Sequence, residues 1–185
     1  MKKTIVVISV IVAVIAAVVI FMLTTRDSNG ELDVAQQITP GEEVVIDLSN
    51  QGIDNAQLVS MIDSGEIPGN VTHLTLSENE LTDASPLANL TGLRLLDIGG
   101  NAINDISLLA GLTNLTNLDL WRNGISDISA LSGMTNLTWI RMQNNSINDI
   151  SALSGLTNLE WVDLTLNSIS DWSPVDHVET VHGRP

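Results

Sequence analysis

The sequence is dominated by a repeat of 22 residues that runs five times from Val71 to Thr180 without an insertion or a deletion. Each unit has apolar residues at the same offsets and one asparagine between them, in the pattern L-x-x-L-x-L-x-x-N-x-L. A fixed period of this length predicts a solenoid, in which each unit buries its apolar side against its neighbours. Because such a fold is mostly scaffold, function is expected at the positions that vary between units. The units begin at Val71, Leu93, Leu115, Leu137 and Leu159.

The pattern also predicts the local structure of each unit. The alternating L-x-L segment predicts a short strand with its leucines inward, and equivalent strands would pair in parallel about 4.8 Å apart on the concave side. The recurring asparagine is expected to bond backbone groups of adjacent turns. A recurring aspartate is expected to cap a short helical turn on the convex side. The asparagines are Asn79, Asn101, Asn123, Asn145 and Asn167, and the aspartates are Asp83, Asp105, Asp127, Asp149 and Asp171.

Both ends of the array carry residues suited to closing it. At the front, residues 44–53 form an imperfect first turn, and Asp54 and Gln57 resemble a capping box that begins a helix ending at Gly65. At the rear, apolar residues continue the repeat offsets, and Trp172 is expected to pack at the cap. The rear apolar residues are Val175, Val178 and Val181.

Charge and cysteine content exclude several functions. The formal net charge is −15, and all 22 carboxylates lie from Asp27 onward. Nucleic acid and anionic lipid are therefore poor partners for this surface, although the charge also serves solubility. With no cysteine, disulfides, thiolate metal sites and a cysteine nucleophile are excluded. Serines recur in every turn, but no histidine is placed by the pattern near a Ser–Asp pair, so no catalytic residue is predicted.

The N-terminal segment from Thr4 to Thr25 is apolar and uncharged. As a helix its 22 residues would span roughly 33 Å, enough for a bilayer core. Lys2 and Lys3 outweigh Arg26 across it, which favours a cytoplasmic N-terminus and an exported body. No small-x-small cleavage site follows the run, so an uncleaved anchor is favoured over a removed signal peptide, which would give a secreted protein.

These features divide the chain into segments. Residues 1–26 are predicted to be a transmembrane signal-anchor, and residues 27–42 a flexible tether. Residues 43–181 are predicted to be the solenoid domain, with an N-terminal cap at 43–70 and the five repeats at 71–180. Residues 181–185 form the C-terminal end.

Two units, LTNLDLWRNGISDISALSGMTN (115–136) and LTWIRMQNNSINDISALSGLTN (137–158), resemble the leucine-rich repeats of bacterial internalins. The resemblance covers about Glu43 to Val181. It implies an α/β solenoid, a right-handed superhelix with a parallel concave sheet and mostly short 3₁₀ turns on the convex side. It also implies recognition of a protein or a glycan through the concave face. Internalins usually carry an immunoglobulin-like domain and a wall anchor, which this sequence does not contain.

The outward strand positions identify a candidate contact patch. The chain has no tyrosine, yet three of its four tryptophans fall on these positions, with Trp139 and Trp161 expected as neighbours about 5 Å apart. Exposed tryptophan and arginine are enriched at binding hot spots. The alternative is that the indoles only pack on each other or on Arg141. The patch comprises Trp121, Arg122, Trp139, Arg141 and Trp161, with Asp97, Asp119 and Asp163 setting its polarity.

The sequence alone therefore predicts a membrane-anchored, extracytoplasmic, non-catalytic binding module. Its partner is expected to be a protein, with a glycan as the other possibility, and neither a cofactor nor a metal is predicted. His177 and His182 lie near Asp176 and Glu179 but on the tail, which is a weak basis for a metal site. The competing interpretation is a structural cell-envelope spacer or assembly subunit without a soluble ligand.

Overall fold

A computed structural model of the chain describes residues 4–8 and 43–185. Its main feature is a parallel sheet of eight strands, whose spatial order is their order in the sequence. The strands are β1 (Thr4–Ile8), β2 (Glu43–Asp47), β3 (His73–Thr75), β4 (Leu95–Asp97), β5 (Asn117–Asp119), β6 (Trp139–Arg141), β7 (Trp161–Asp163) and β8 (Thr180–His182).

Equivalent residues of neighbouring repeats lie side by side in this sheet. Leu96 pairs with Leu118, and Leu118 pairs with Ile140. The middle residue of strands β3 to β7 is fully buried, while the first and third point outward. The 22-residue period thus produces the stacked solenoid with its parallel sheet that the repeat predicted.

The other side of the solenoid is built from short 3₁₀ helices. Each is preceded by the recurring aspartate, whose Oδ1 accepts the backbone N–H two residues later at 2.8 to 3.0 Å. These bonds lower the pKa of exposed carboxylates such as Asp105 and Asp127. The aspartate column therefore bonds the first N–H of each 3₁₀ helix from the position before the N-cap, and the N-cap residue itself makes no side-chain cap bond. The 3₁₀ helices are Ser85–Leu87, Ser107–Gly111, Ser129–Gly133, Ser151–Leu153 and Ser173–Val175.

The recurring asparagine joins each turn to the next. Asn123 Oδ1 accepts the Ile103 N–H at 3.0 Å, and its Nδ2 donates to the Ile98 carbonyl at 3.0 Å. Nδ2 also lies within hydrogen-bonding distance of the Leu120 and Trp121 carbonyls. One amide therefore serves backbone groups that the turn cannot pair internally. Asn79, Asn101, Asn145 and Asn167 make equivalent bonds.

The front cap is helix α1 (Asn55–Asp63), and it begins as the sequence predicted. The Asp54 side chain accepts the Gln57 N–H at 2.8 Å, and the Gln57 side chain accepts the Asp54 N–H at 2.9 Å. Leu58 and Met61 face the core, and Gly65 follows the helix with a φ of +81°. This capping box fixes the point where the chain enters the solenoid.

The rear end differs from the sequence expectation. Val175 and Val178 are buried at their repeat offsets, and Trp172 packs against the core as expected. Val181, however, pairs with Val162 in a further strand, β8, although the repeat offset aligned it with Leu159. The last turn is therefore shorter than 22 residues, which brings His182 onto the sheet.

Within the described residues, the N-terminal end also differs from the sequence prediction. The predicted membrane helix begins at Thr4, whereas Thr4–Ile8 form β1, paired in parallel with β2. A β-branched apolar segment suits the edge of a sheet as well as it suits a helix in lipid. The rest of that segment and the tether at 27–42 lie outside the described residues. Among the residues that the structure describes, none belongs to a helix long and apolar enough to span a bilayer.

Candidate functional site

The outward side chains of the strands form two rows across the sheet, and we call this surface the sheet face. Because the strands pair in register, each row runs perpendicular to them with one side chain from each strand. The first row is Val45, His73, Leu95, Asn117, Trp139, Trp161 and Thr180. The second row is Asp47, Thr75, Asp97, Asp119, Arg141, Asp163 and His182.

The largest side chains of the first row stack on one another. The rings of Trp139 and Trp161 lie with centroids 4.7 Å apart and planes 4° from parallel. This spacing matches that of the strands, so register alone brings the rings together. The His182 ring lies 5.4 Å from Trp161 at an angle of 51°. The two tryptophans are half-buried, because each covers part of its neighbour.

Trp121 belongs to a separate cluster with Arg141. Its ring lies directly on Gly99, where an added Cβ would come within 1.9 Å of the Trp121 Cδ1 atom. Only glycine at position 99 therefore allows the ring to lie in this place. The Arg141 guanidinium lies 5.3 Å from the Trp121 ring centroid, a cation–π contact.

Asp119 anchors this second cluster and is buried, with only 8% of its surface exposed. It forms a two-point ion pair with Arg141, with Nε to Oδ1 at 3.0 Å and Nη2 to Oδ2 at 2.7 Å. Its Oδ1 also accepts the Trp121 N–H at 3.1 Å. Burial, and next the charge of Asp97, raise the pKa of Asp119 to about 6 despite these bonds.

Asp97 lies beside Asp119 on the preceding strand. Its Oδ1 accepts the Gly99 N–H at 3.0 Å. Burial raises the pKa of Asp97 from its ordinary value, with hydrogen bonding and Arg141 acting in the opposite direction. Two carboxylates in register, served by one arginine, leave this part of the sheet face negative.

Two residues of the predicted patch lie apart from these clusters. Arg122 is exposed, and its Nη1 lies 3.7 Å from Glu78 Oε2, two turns towards the N-terminus. Asp163 accepts the Thr165 N–H at 2.9 Å, and it makes no ion pair within the described part of the chain. The eight predicted residues thus share one surface, but they divide into the Trp139–Trp161 stack, the Asp97–Asp119–Arg141–Trp121 cluster and these two.

Sequence reasoning missed two features of this surface. His182 joins the stack because the last turn is short, a change that a fixed period conceals. In addition, the third residue after each of the strands β2 to β7 has a positive φ, at which Arg122 has +48° and Leu166 has +58°. Asn50, Gly100 and Asn144 at equivalent positions were the available signal, since asparagine and glycine tolerate this conformation.

A hollow of about 280 Å³ opens on the sheet face next to the stack. It forms where short side chains of β3 to β5 meet the bulk of Trp139. Its lining is mostly apolar and includes Asp97 and Asp119, which we call the acidic pair. The lining includes Thr75, Leu95, Asp97, Asn117, Asp119 and Trp139.

The histidines of the tail do not form a metal site with their acidic neighbours. His182 lies against Trp161, and the His177 ring nitrogen Nε2 lies 2.9 Å from the Leu156 carbonyl oxygen. No group of three or more histidine, aspartate or glutamate side chains within residues 43–185 is arranged to hold a metal ion.

Comparison with known proteins agrees with the architecture. The family profile described as "Leucine Rich repeats (2 copies)" matches residues 69–111 and 91–133, and the profile "Leucine rich repeat" matches residues 113–169. A search of curated proteins found no match.

Solved structures of similar fold include two internalins of Listeria monocytogenes str. 4b F2365. Internalin C2 is 27% identical, with 73% of this chain and 78% of that chain covered and a TM-score of 0.50. Internalin F is 34% identical, with 61% of this chain covered and a TM-score of 0.49, and the chain spans only 41% of its length.

TLR13, in the structure of its complex with ssRNA13, is 29% identical, with 72% of this chain and 20% of that chain covered and a TM-score of 0.58. The family matches together run from residue 69 to residue 169, which is more than half of the chain. This protein belongs to the leucine-rich-repeat family, and its repeats are internalin-like.

Proposed function

We propose that the chain is a membrane-anchored, extracytoplasmic binding module that recognises a protein partner through its sheet face. Leucine-rich-repeat domains are generally non-enzymatic modules, and they typically bind proteins. The observation that carries the proposal is the side-by-side placement of the Trp139–Trp161 stack and the Asp119–Arg141–Trp121 cluster on one open surface. Aromatic and arginine side chains of this kind are the usual anchors of protein interfaces.

A protein suits this surface better than a glycan or a nucleic acid does. Trp139 and Trp161 cover each other's inner faces, so a sugar has less free indole surface to stack upon. The net charge of −15 opposes binding of a phosphate backbone. The RNA in the TLR13 complex therefore gives no reason to propose an RNA ligand here.

Capture of partners by the full-length protein tests the proposal. The tagged protein is expressed in its membrane, cross-linked on intact cells and purified, and the partners are identified by mass spectrometry. A Trp139→Ala, Trp161→Ala variant is expected to lose at least one captured protein while its thermal unfolding changes little. Unchanged capture by this variant would contradict a role of the stack, and absence of any partner would favour the spacer interpretation.

A matched control removes the same kind of surface elsewhere. Val59 on α1 and Leu108 on the 3₁₀ helix Ser107–Gly111 are exposed apolar residues away from the sheet face. A Val59→Ala, Leu108→Ala variant is expected to capture the same proteins as the wild type. Loss of capture in both double variants would indicate non-specific hydrophobic binding and not recognition by the sheet face.

The anchor is part of the proposal and has its own test. It is supported by the sequence alone, in which residues 4–25 are uncharged and follow two lysines, because the structure pairs Thr4–Ile8 with β2 as a strand. Resistance of the protein to alkaline extraction, together with protease sensitivity of the repeats from outside the cell, is the expected result. Extraction into the soluble fraction would refute the membrane anchor, and it would not affect the proposal that the sheet face binds a partner.

A further inference from the structure

The hollow on the sheet face has the chemistry of a receptor for a cation. Asp97 and Asp119 contribute carboxylates to its lining, and Trp139 contributes an aromatic ring. Trp161 covers one face of Trp139, so the opposite face is the one that borders the hollow. An indole face and a carboxylate are the two groups that attract an ammonium or a guanidinium in proteins.

Charges along the second row of the sheet face are unbalanced. The row contains four aspartates, and Arg141 is its one arginine. Arg141 pairs with Asp119 through two short contacts. Among residues 43–185, no basic side chain comes within 4.0 Å of Asp97. Negative charge therefore remains where the hollow is open to solvent.

The adjoining cluster shows how this surface holds a cation. The Arg141 guanidinium pairs with Asp119 at 2.7 and 3.0 Å and also lies 5.3 Å from the centroid of the Trp121 ring. Asp97 on β4 and Trp139 on β6 also bring a carboxylate and an indole to the lining of one hollow. A second cation there would sit between a carboxylate and an aromatic ring, as Arg141 does.

The size of the hollow indicates what kind of cation it holds. A volume of about 280 Å³ lies just below the range of roughly 300 to 1,000 Å³ that encloses small-molecule ligands. It accommodates one side chain projecting from a larger partner. Leu95 adds an apolar wall for the aliphatic part of such a side chain, and Asn117 adds an amide.

We propose that the hollow binds a lysine or arginine side chain from a basic segment of the protein partner. This inference depends on the proposed function and narrows it to a cationic protein surface. The strongly acidic chain would also attract such a partner electrostatically.

The test measures binding of a tetra-arginine peptide to the full-length protein in detergent at pH 7.5 and 0.15 M salt. Tryptophan fluorescence reports the binding, since Trp139 borders the hollow. Asp97→Asn removes one charge and retains an acceptor for the Gly99 N–H, and it is expected to weaken peptide binding at least fivefold. The control Glu66→Gln removes the same charge from an exposed loop and is expected to change binding less than twofold.

A second variant keeps the test decisive if Asp97→Asn unfolds. Asn117→Arg places a cation of the chain itself in the hollow and is expected to abolish peptide binding while the circular dichroism spectrum is retained. Spermine serves as a non-peptide cation, and it is expected to bind at least tenfold more weakly than the peptide.

Several results would overturn the inference. These are no peptide binding to the wild type, equal losses in Asp97→Asn and Glu66→Gln, or spermine binding as tight as the peptide. If cell-surface capture still depends on Trp139 and Trp161 while Asp97→Asn has no effect, the cationic site fails and the proposed function stands. If capture fails as well, both are wrong.

Discussion

Replacement of Asn123 by alanine tests whether the asparagine column holds the solenoid together. The substitution leaves the fully buried Ile103 without the acceptor of its backbone N–H. The carbonyls of Ile98 and Leu120 each lose the Asn123 amide as a hydrogen-bond donor. They keep the side-chain amides of Asn101 and Asn145, respectively, as donors. An orphaned buried donor costs about 1–3 kcal/mol, and each further bond lost contributes about 0.5–1.5 kcal/mol. The expected loss is therefore about 3 kcal/mol of the free energy of unfolding.

Urea unfolding followed by circular dichroism measures this loss. The control is Asn148→Ala, because Asn148 is exposed and makes no hydrogen bond within residues 43–185. That control is expected to change stability by less than about 0.5 kcal/mol. A loss below about 1 kcal/mol for Asn123→Ala, or equal losses for the two variants, would show that the column asparagines do not carry the stability assigned to them.

Two further predictions concern single positions. Leu166→Gly is expected to stabilise the protein by about 0.5–1 kcal/mol, because Leu166 has a φ of +58° that glycine adopts without strain. The control Leu108→Gly, at an exposed position of a 3₁₀ helix, should destabilise the protein. Thermal unfolding midpoints that shift in the same direction for both variants would contradict this prediction. The pKa of Asp119 in the folded state is about 6, above its ordinary value of 3.8, so protonation of this carboxyl favours the folded state. The resulting contribution to the free energy of unfolding is lost as pH rises from about 4 to 6. Asp119→Asn should remove this part of the pH dependence, by at most about 3 kcal/mol, and an unchanged stability curve between pH 4 and 6 would refute the burial of that charge.

Most of the fold follows from the period of the sequence. Identical spacing requires equivalent residues to lie side by side, so the columns through Leu96 and Leu118, and the asparagines, could be assigned before any coordinates. The capping box at Asp54 and Gln57 was equally clear, because its geometry is local. The period did not predict where the regular 22-residue repeat ends. The shorter turn that forms β8 depends on how Val181 packs, and no repeat offset encodes that.

The candidate site was predictable only in part, and the reason is physical. Alternation along a strand tells which side chains point outward, and register then made the Trp139–Trp161 contact foreseeable. Alternation does not tell which way a long side chain leans. Arg141 lies opposite both Asp119 and Asp163 but pairs with Asp119, and Arg122 turns away towards Glu78. These choices depend on space, such as that left by Gly99 under Trp121.

Each member of the acidic pair on the sheet face accepts a backbone N–H two residues later, but these bonds do not outweigh the cost of burying two like charges side by side. Like charges placed directly opposite each other on adjacent strands destabilise a sheet, and burial adds a desolvation cost that Arg141 offsets only in part. Thr75, which lies beside Asp97 on the preceding strand, shows that a neutral residue fits this row. Positions that break a local rule without a compensating gain are typically functional. We therefore expect Asp97→Thr to make the protein more stable and a poorer binder of the tetra-arginine peptide, and a variant that lost both stability and binding would show that the carboxylate serves the fold.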